Sequence, residues 1–346
     1  MSLREVEAAA PASLERPLDG TLERLTVRSE ALEDNPLGDS PVRPLLVYTP
    51  AGAGERRLPS VYFLQGFAGR LEEWLAGADS GPNTIEQLDG MMAAGECPPA
   101  ILVFVDAFTS RGGSQFLNST GCGRYLDYVC DEVVRFVDAR YPTLAERDHR
   151  GVSGKSSGGY GALILSMLRP ELFGGLASHA GDALFECCYQ PVFPVAARQL
   201  RGEFGGSWER FEHRAAQPDF EWRQCAALFA AYGTACAYSP DRDRPGRPLM
   251  PFDEVGRPIE DIWAQWLTFD PVRLAEAHAD SLRGMRRIYL DAGRSDEFFL
   301  DLGAQALSDE FTRLGVEHTL ELFDGNHDGV DARMPRAVFE LVTALQ

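Results

Sequence analysis

A glycine-rich turn at residues 150–163, RGVSGKSSGGYGAL, constrains the fold of this chain more than any other stretch. The segment before it, HRGVSG (149–154), predicts a short buried strand, and SGGYGALILSMLRP (157–170) predicts a helix. A strand that turns directly into a helix crowds the backbone, so small residues such as Gly154 and Gly158 must flank the turn. The stretch therefore predicts a sharp strand–turn–helix unit.

Two chemical interpretations compete for this turn. Gly154-Lys155-Ser156 resembles the end of a phosphate loop, G-x-x-x-x-G-K-[ST], but the glycine required at position 149 is His149. The G-x-S-x-G pattern centred on Ser156 fits the predicted strand and helix, as a nucleophile elbow requires. We therefore predict that Ser156 is a nucleophile, with a glycine-rich turn devoid of chemistry as the alternative.

Strands and helices alternate along most of the chain. The strands are predicted at 21–29, 43–50, 59–66, 98–107, 149–154, 174–181, 285–293 and 317–325. The helices are predicted at 83–96, 123–142, 157–170, 302–315 and 335–345. This alternation predicts one α/β domain, residues 1–346, with a mostly parallel sheet wrapped by helices. Residues 183–283 break the pattern and are predicted to form a cap or lid insertion, and residues 1–20 an N-terminal extension.

Composition excludes several classes of function. The net charge of −19 argues against binding to nucleic acid or to an anionic membrane surface. Seven cysteines, an odd number without a C-x-x-C pair, favour neither a disulfide framework nor a zinc site. No secretory leader and no long apolar run are evident, so we expect a cytoplasmic protein. We expect no metal and no cofactor, and a homodimer remains open.

A nucleophilic serine needs a base and an orienting acid, which in this fold follow it along the chain. His327 lies in the polar loop FDGNHDGVD after the last predicted strand, where α/β sites form. The acid is expected in the loop after strand 285–291, where position favours Asp296 over Glu297. The alternative role for Asp296 is to cap the following helix. The N–H groups of Phe67 and Ser157 are the candidate oxyanion donors.

Substrate contacts are predicted less directly. The long loop 106–123 offers Arg111, Gln115 and Asn118, although its glycines equally suit a plain loop. Asp182 is predicted to line the pocket or to pair with an arginine, and Gly66 borders the predicted oxyanion loop. Four of the five tryptophans, among them Trp263, lie in the insertion. We expect these tryptophans either to line an acyl pocket or to form the core of the insertion itself.

Several of these segments together resemble a known family. VYFLQGFAG, SGKSSGGYGALILSMLRPELFGGLASHAGD, DAGRSDEFFL and DGNHDGVD are similar to the esterase D and enterochelin-esterase-like group of α/β-hydrolases. The resemblance covers about residues 40–182 and 284–345. It implies the α/β-hydrolase fold, a triad of Ser156, Asp296 and His327, and an oxyanion loop at Gly66 and Phe67.

The predicted function is that of a serine carboxylesterase. The substrate is expected to be an ester with a small or aromatic acyl group, cleaved through an acyl-enzyme on Ser156. Two alternatives remain at this stage. An acyltransferase would use the same triad with an alcohol in place of water, and a binding protein would keep the hydrolase fold without catalysis.

Overall fold

The computed structural model describes residues 3–8, 14, 16–76 and 81–346, and its centre is a nine-stranded sheet. The strands are β1 Leu3–Ala8, β2 Thr21–Ser29, β3 Val42–Thr49, β4 Ser60–Leu64, β5 Ile101–Val105, β6 Asn118–Ser119, β7 Gly123–Arg124, β8 Arg150–Lys155, β9 Gly175–His179, β10 Arg287–Gly293 and β11 Thr319–Phe323. The order in the sheet is β1-β2-β3-β5-β4-β8-β9-β10-β11, and β6 pairs separately with β7.

The sheet is antiparallel at one side and parallel elsewhere. The pairs β1–β2, β2–β3 and β3–β5 are antiparallel, whereas β5, β4, β8, β9, β10 and β11 run parallel. The register aligns Leu64 with Gly154, and Gly154 with Ser178. The carboxyl ends of β4, β8 and β9 therefore lie side by side, where open α/β sheets place their ligand sites. The predicted α/β fold with a mostly parallel sheet is confirmed.

Helices cover both faces of the sheet. They are α1 Thr84–Ala93, α2 Tyr125–Asp127, α3 Val134–Arg140, α4 Ser157–Leu168, α5 Phe185–Cys188, α6 Val192–Phe204, α7 Trp208–Ala215, α8 Ala226–Tyr238, α9 Glu260–Leu267, α10 Pro271–Leu274, α11 Ala279–Arg283, α12 Leu300–Arg313 and α13 Met334–Ala344. A π-helical turn, Tyr128–Val133, joins α2 to α3. None of the helices in the described part of the chain has the length and apolar character needed to cross a membrane.

Two buried clusters sandwich the sheet. One packs α2, α3 and α12 against the strands, with Val129, Val137 and Phe311 fully buried. The other packs α1 and α13 on the opposite face, with Leu88 and Leu341 fully buried. The continuous apolar runs of β4 and β5 follow from this arrangement, because both faces of these strands are buried.

Residues 183–283 lie outside this sandwich. They carry α5 to α11. The structure describes every residue of this segment, and none of them adds a strand to the sheet. Their buried cluster includes Phe193, Tyr238 and Trp266, and it continues through Tyr160 onto the helix that follows the glycine-rich turn. Of the predicted N-terminal extension, Leu3–Ala8 pairs with β2. Residues 1, 2, 9–13 and 15 lie outside the described residues.

Candidate active site

The turn between β8 and α4 holds Ser156 in a strained conformation. Ser156 adopts φ 56° and ψ −126°, a region that side-chain-bearing residues rarely occupy, and its N–H donates to the His179 carbonyl over 2.8 Å. A Cβ added to Gly154 would lie 2.3 Å from the Gly158 oxygen. One added to Gly158 would lie 2.1 Å from the Leu64 oxygen. The two glycines therefore permit the backbone contacts that raise Ser156 above the sheet.

Gly158→Ala is expected to lower the free energy of unfolding by about 3 kcal/mol, because the new methyl group meets the backbone of β4 and no side chain can move aside. Gly202→Ala is the matched control, because Gly202 lies in α6 with no atom within 4 Å of its added Cβ. Alanine there is expected to keep or slightly raise stability. Urea unfolding measures both variants, and equal stabilities would show that the turn has room.

His327 and Asp296 are joined by a hydrogen bond. The His327 Nδ1 lies 2.8 Å from Asp296 Oδ2, and Asp296 is buried. The other oxygen of Asp296 accepts the Phe298 N–H over 2.9 Å. One oxygen of Asp296 thus engages the histidine and the other holds the turn before α12, whereas the helix itself begins after Phe299 with no side-chain cap.

Glu297, the competing acid, holds the backbone of the histidine loop. Its carboxylate accepts the His327 N–H over 3.1 Å and the Asn326 side-chain amide over 3.3 Å. Hydrogen bonds from backbone N–H groups lower the pKa of the Glu297 carboxyl; the larger effect comes from its own N–H and the next from that of His327. The Phe298 ring packs edge-on against the His327 ring at 5.0 Å. The imidazole is therefore fixed by a carboxylate at one nitrogen and by a ring beside it.

Ser156 and His327 line one cavity of about 1000 Å³, together with Gly66, Phe67 and Ser157. A Cβ added to Gly66 would lie 3.4 Å from the Ser156 Cβ, so the loop after β4 touches the nucleophile turn. The Phe67 and Ser157 N–H groups donate to no acceptor in the described part of the chain. Within the described residues these two backbone donors are thus unpaired, and unpaired donors are what an oxyanion hole needs.

A comparison with known families identifies the family of this chain. The family described as "Putative esterase" matches residues 42–331, most of the chain. The chain belongs to this esterase family. The match extends over the glycine-rich turn, the insertion and the histidine loop alike.

Individual relatives of this esterase are distant. An endo-1,4-beta-xylanase/feruloyl esterase from Xylanibacter ruminicola is 25% identical over 134 residues, 37% of this chain and 18% of that protein. A solved ferulic acid esterase covers 95% of the chain and 100% of its own, with 16% identity and a TM-score of 0.61. An S-formylglutathione hydrolase from Agrobacterium tumefaciens covers 96% and 99%, with 15% identity and a TM-score of 0.57. These structures share the fold.

Lys155 links the nucleophile turn of the esterase to the histidine loop. Its Nζ lies 3.0 Å from Asp331 and 3.6 Å from Asp328, both in the 3-10 segment His327–Arg333. All three side chains line the cavity. The one lysine of the chain therefore lies at the edge of the cavity, where two carboxylates balance its charge.

The predicted substrate contacts divide into two groups. Gly66 and Asp182 line the cavity, and Gln115 reaches it through a hydrogen bond from its Nε2 to Asp182 over 3.3 Å. Arg111, Asn118 and Trp263 are not among the lining residues in the described part of the chain.

Each residue of the second group is held elsewhere. The Arg111 guanidinium stacks over the Tyr232 ring at 5.6 Å. Asn118 lies in the β6–β7 hairpin and donates to Asp127 over 2.7 Å, because the loop folds back on itself. Trp263 packs against the Phe193 ring in the core of the insertion.

Asp182 is the buried carboxylate of the cavity. It accepts the Tyr189 hydroxyl over 2.8 Å, the Ser157 hydroxyl over 3.1 Å and the Gln115 amide, all at Oδ2. Burial raises the pKa of the Asp182 carboxyl above its ordinary value, and these hydrogen bonds partly offset that effect. Among the described residues no arginine pairs with Asp182; Glu186, four residues later, makes such a contact with Arg273 at 2.5 Å.

Sequence reasoning missed several lining residues. Tyr189, Phe193 and Trp266 come from the insertion, and Trp74 and Phe298 come from loops above the sheet. Of the four insertion tryptophans, Trp222 and Trp266 line the cavity, whereas Trp263, the one named as a substrate contact, does not. A signal for the aromatic character of the insertion existed in its four tryptophans. Which ring faces the cavity depends on how α9 packs against the rest of the protein. The residues around each tryptophan in the sequence do not determine that packing.

Proposed function

We propose that this esterase is a serine carboxylesterase that works through Ser156, His327 and Asp296. The observation that carries the proposal is that the Asp296-bonded imidazole of His327 lines the same cavity as the strained Ser156. A serine on a strand-to-helix turn and a histidine oriented by a buried acid form the combination that activates a hydroxyl.

In the first step, Ser156 Oγ attacks the ester carbonyl while His327 Nε2 takes the hydroxyl proton. Asp296 holds the proton on Nδ1, which leaves Nε2 free to accept, and it stabilises the imidazolium that forms. The N–H groups of Phe67 and Ser157 bind the oxyanion. The tetrahedral intermediate collapses, the C–O bond to the alcohol breaks, and the imidazolium protonates the leaving oxygen.

In the second step, water attacks the acyl-enzyme. His327 removes a proton from the water, the same two N–H groups bind the second oxyanion, and the bond to Ser156 Oγ breaks. The proton returns from His327 to Ser156, and the carboxylic acid leaves. In each step one proton moves to the imidazole of His327 and back out again. The ester and water are therefore the substrates that the reaction consumes.

The acyl group is proposed to be small or aromatic. Among the described residues, seven aromatic side chains contribute to the cavity lining: Phe67, Trp74, Tyr189, Phe193, Trp222, Trp266 and Phe298. Rings of this kind bind flat or apolar groups by burial and by edge or face contacts. The relatives named feruloyl esterase and ferulic acid esterase support an aromatic acyl group here.

Covalent labelling tests the nucleophile. Phenylmethylsulfonyl fluoride transfers its sulfonyl group to an activated serine Oγ with loss of fluoride. We expect intact-mass measurement to find one added group, and peptide mapping to place it on Ser156. The Ser156→Ala variant is expected to stay unlabelled. A label on another residue, or equal labelling of the variant, would overturn the assignment.

A further inference from the structure

A second histidine–aspartate pair lies beneath the nucleophile turn. The His179 Nδ1 lies 2.8 Å from Asp291 Oδ1, and both residues are fully buried. The contact has the same form as that between His327 and Asp296, which also joins Nδ1 to a carboxylate oxygen over 2.8 Å. Neither His179 nor Asp291 is among the described residues that line the cavity, so the hydrolysis mechanism does not use this pair.

One peptide unit connects the pair to the nucleophile. The His179 carbonyl accepts the Ser156 N–H over 2.8 Å. The N–H of the same peptide unit, which belongs to Ala180, donates to the Asp291 carbonyl over 2.7 Å. Ala180 adopts φ 44°, a left-handed conformation that residues other than glycine keep only where the surrounding contacts hold them. The position of the Ser156 backbone therefore depends on how Asp291 and His179 are held.

Arg333 connects the same pair to the histidine loop. It ends the 3-10 segment His327–Arg333, and its Nε donates to Asp291 Oδ2 over 3.3 Å. Its Nη2 donates to the Tyr289 hydroxyl over 3.2 Å, and its guanidinium lies over the Phe323 ring at 4.8 Å. Tyr289 belongs to β10 and Phe323 to β11. Arg333 therefore fixes the end of the histidine loop to the last two strands of the sheet.

Asp291 lies at the centre of this network, which we define as His179, Asp291 and Arg333. A fully buried carboxylate is costly unless its charge and both its oxygens find partners. Oδ1 is engaged by the His179 ring and Oδ2 by the Arg333 guanidinium, so each partner has a fixed place. Lys155 makes a weaker connection between the two segments, because the carboxylates that it contacts are 88% and 58% exposed to solvent.

We propose that His179, Asp291 and Arg333 are positioning residues that hold the Ser156 backbone and the histidine loop at one fixed separation. This inference rests on the proposed esterase function, because it concerns how Ser156 and His327 meet in that mechanism. Proton transfer between them needs hydrogen-bond contact, and a displacement of about 1 Å can lower a rate about 100-fold. The network acts through the backbone of each segment and does not touch the ester.

Arg333 offers the sharpest test, because its side chain is 22% exposed and lies at the edge of the network. Diisopropyl fluorophosphate transfers its phosphoryl group to an activated serine Oγ with loss of fluoride, and intact-mass measurement follows the labelled fraction with time. For Arg333→Met we expect complete labelling with a second-order rate constant about 30-fold lower than in wild type. Arg333→Lys keeps the charge but loses the planar fork, and we expect a loss of about threefold.

The two quantities of this assay separate positioning from folding. A variant that only folded poorly would label to a smaller final fraction, and its folded molecules would react at the wild-type rate. Arg336→Met is the matched control, since Arg336 contacts Glu321 and Glu340 and makes no ion pair with Asp291. We expect its rate constant to stay within about twofold of wild type. A wild-type rate constant in Arg333→Met, or an equal loss in Arg336→Met, would overturn the proposal.

Variants of His179 test the buried end of the network. Asparagine places an amide nitrogen where Nδ1 lies and keeps a donor to Asp291, whereas phenylalanine keeps a ring without a donor. We expect the labelling rate constant to fall about 10-fold in His179→Phe and about threefold in His179→Asn. A larger loss in His179→Asn would assign the effect to ring packing and contradict the role of Asp291. If His179→Phe does not fold, the Arg333 variants decide the question.

The two levels of the hypothesis fail differently. Labelling of wild-type Ser156 that is absent from Ser156→Ala, together with an unchanged rate constant in Arg333→Met, would refute the network and leave the esterase mechanism standing. Absence of Ser156-dependent labelling in the wild-type protein would refute the proposed mechanism itself.

Discussion

Ser156→Ala is expected to lower kcat for p-nitrophenyl acetate by about 10⁶-fold. The variant keeps the cavity, the two oxyanion donors and His327, but it removes the atom that forms the acyl-enzyme. Because the remaining groups still bind the ester, KM is expected to change little. Initial rates followed by p-nitrophenolate release measure the effect.

A serine of the preceding strand provides the control. Ser153 is fully buried, and its hydroxyl has no hydrogen-bond partner in the described part of the chain. Ser153→Ala therefore changes the same chemical group in β8 without touching the cavity, and kcat is expected to stay near the wild-type value. A Ser156→Ala enzyme within tenfold of wild type would mean that another residue carries the acyl group.

Local patterns predicted the elements that position this serine. The turn at 150–163 specifies a strand, a strained residue and a helix within fourteen residues, and the structure places Ser156 at φ 56° between β8 and α4. Parallel strands deliver their following loops to one edge, so the loops after β4, β10 and β11 could be expected to meet at Ser156. Ordering along the chain then left His327 as the base.

Contacts between segments that are distant in the sequence could not be predicted in the same way. Asp182 receives its donors from positions 115, 157 and 189, which belong to three separate segments with no common spacing. Arg111 and Asn118 shared a loop with Gln115, yet they turn to the Tyr232 ring and to Asp127 because the loop folds into the β6–β7 hairpin. Such choices depend on tertiary packing, and residue type alone does not encode them.

The acid of the triad was also ambiguous in sequence, because Asp296 and Glu297 are adjacent and both are within reach of the histidine loop. Asp296→Asn is expected to lower kcat by about 10⁴-fold. The amide would donate to His327 Nδ1, which forces the ring proton onto Nε2, so the imidazole could no longer accept the proton of Ser156. Asparagine keeps Oδ1, so the bond from the Phe298 N–H persists and stability is expected to change little.

Glu297→Gln is the matched control for that variant, since it makes the same acid-to-amide change one residue away. Glutamine retains an oxygen that accepts the His327 N–H, so the loop stays in place and the ring tautomer is untouched. We expect kcat within about threefold of wild type, because losing part of one charge-assisted hydrogen bond costs under 1 kcal/mol. Equal losses of kcat in the two variants would mean that Asp296 acts only by holding the loop. A loss of kcat confined to Asp296→Asn would assign the orientation of the imidazole to Asp296.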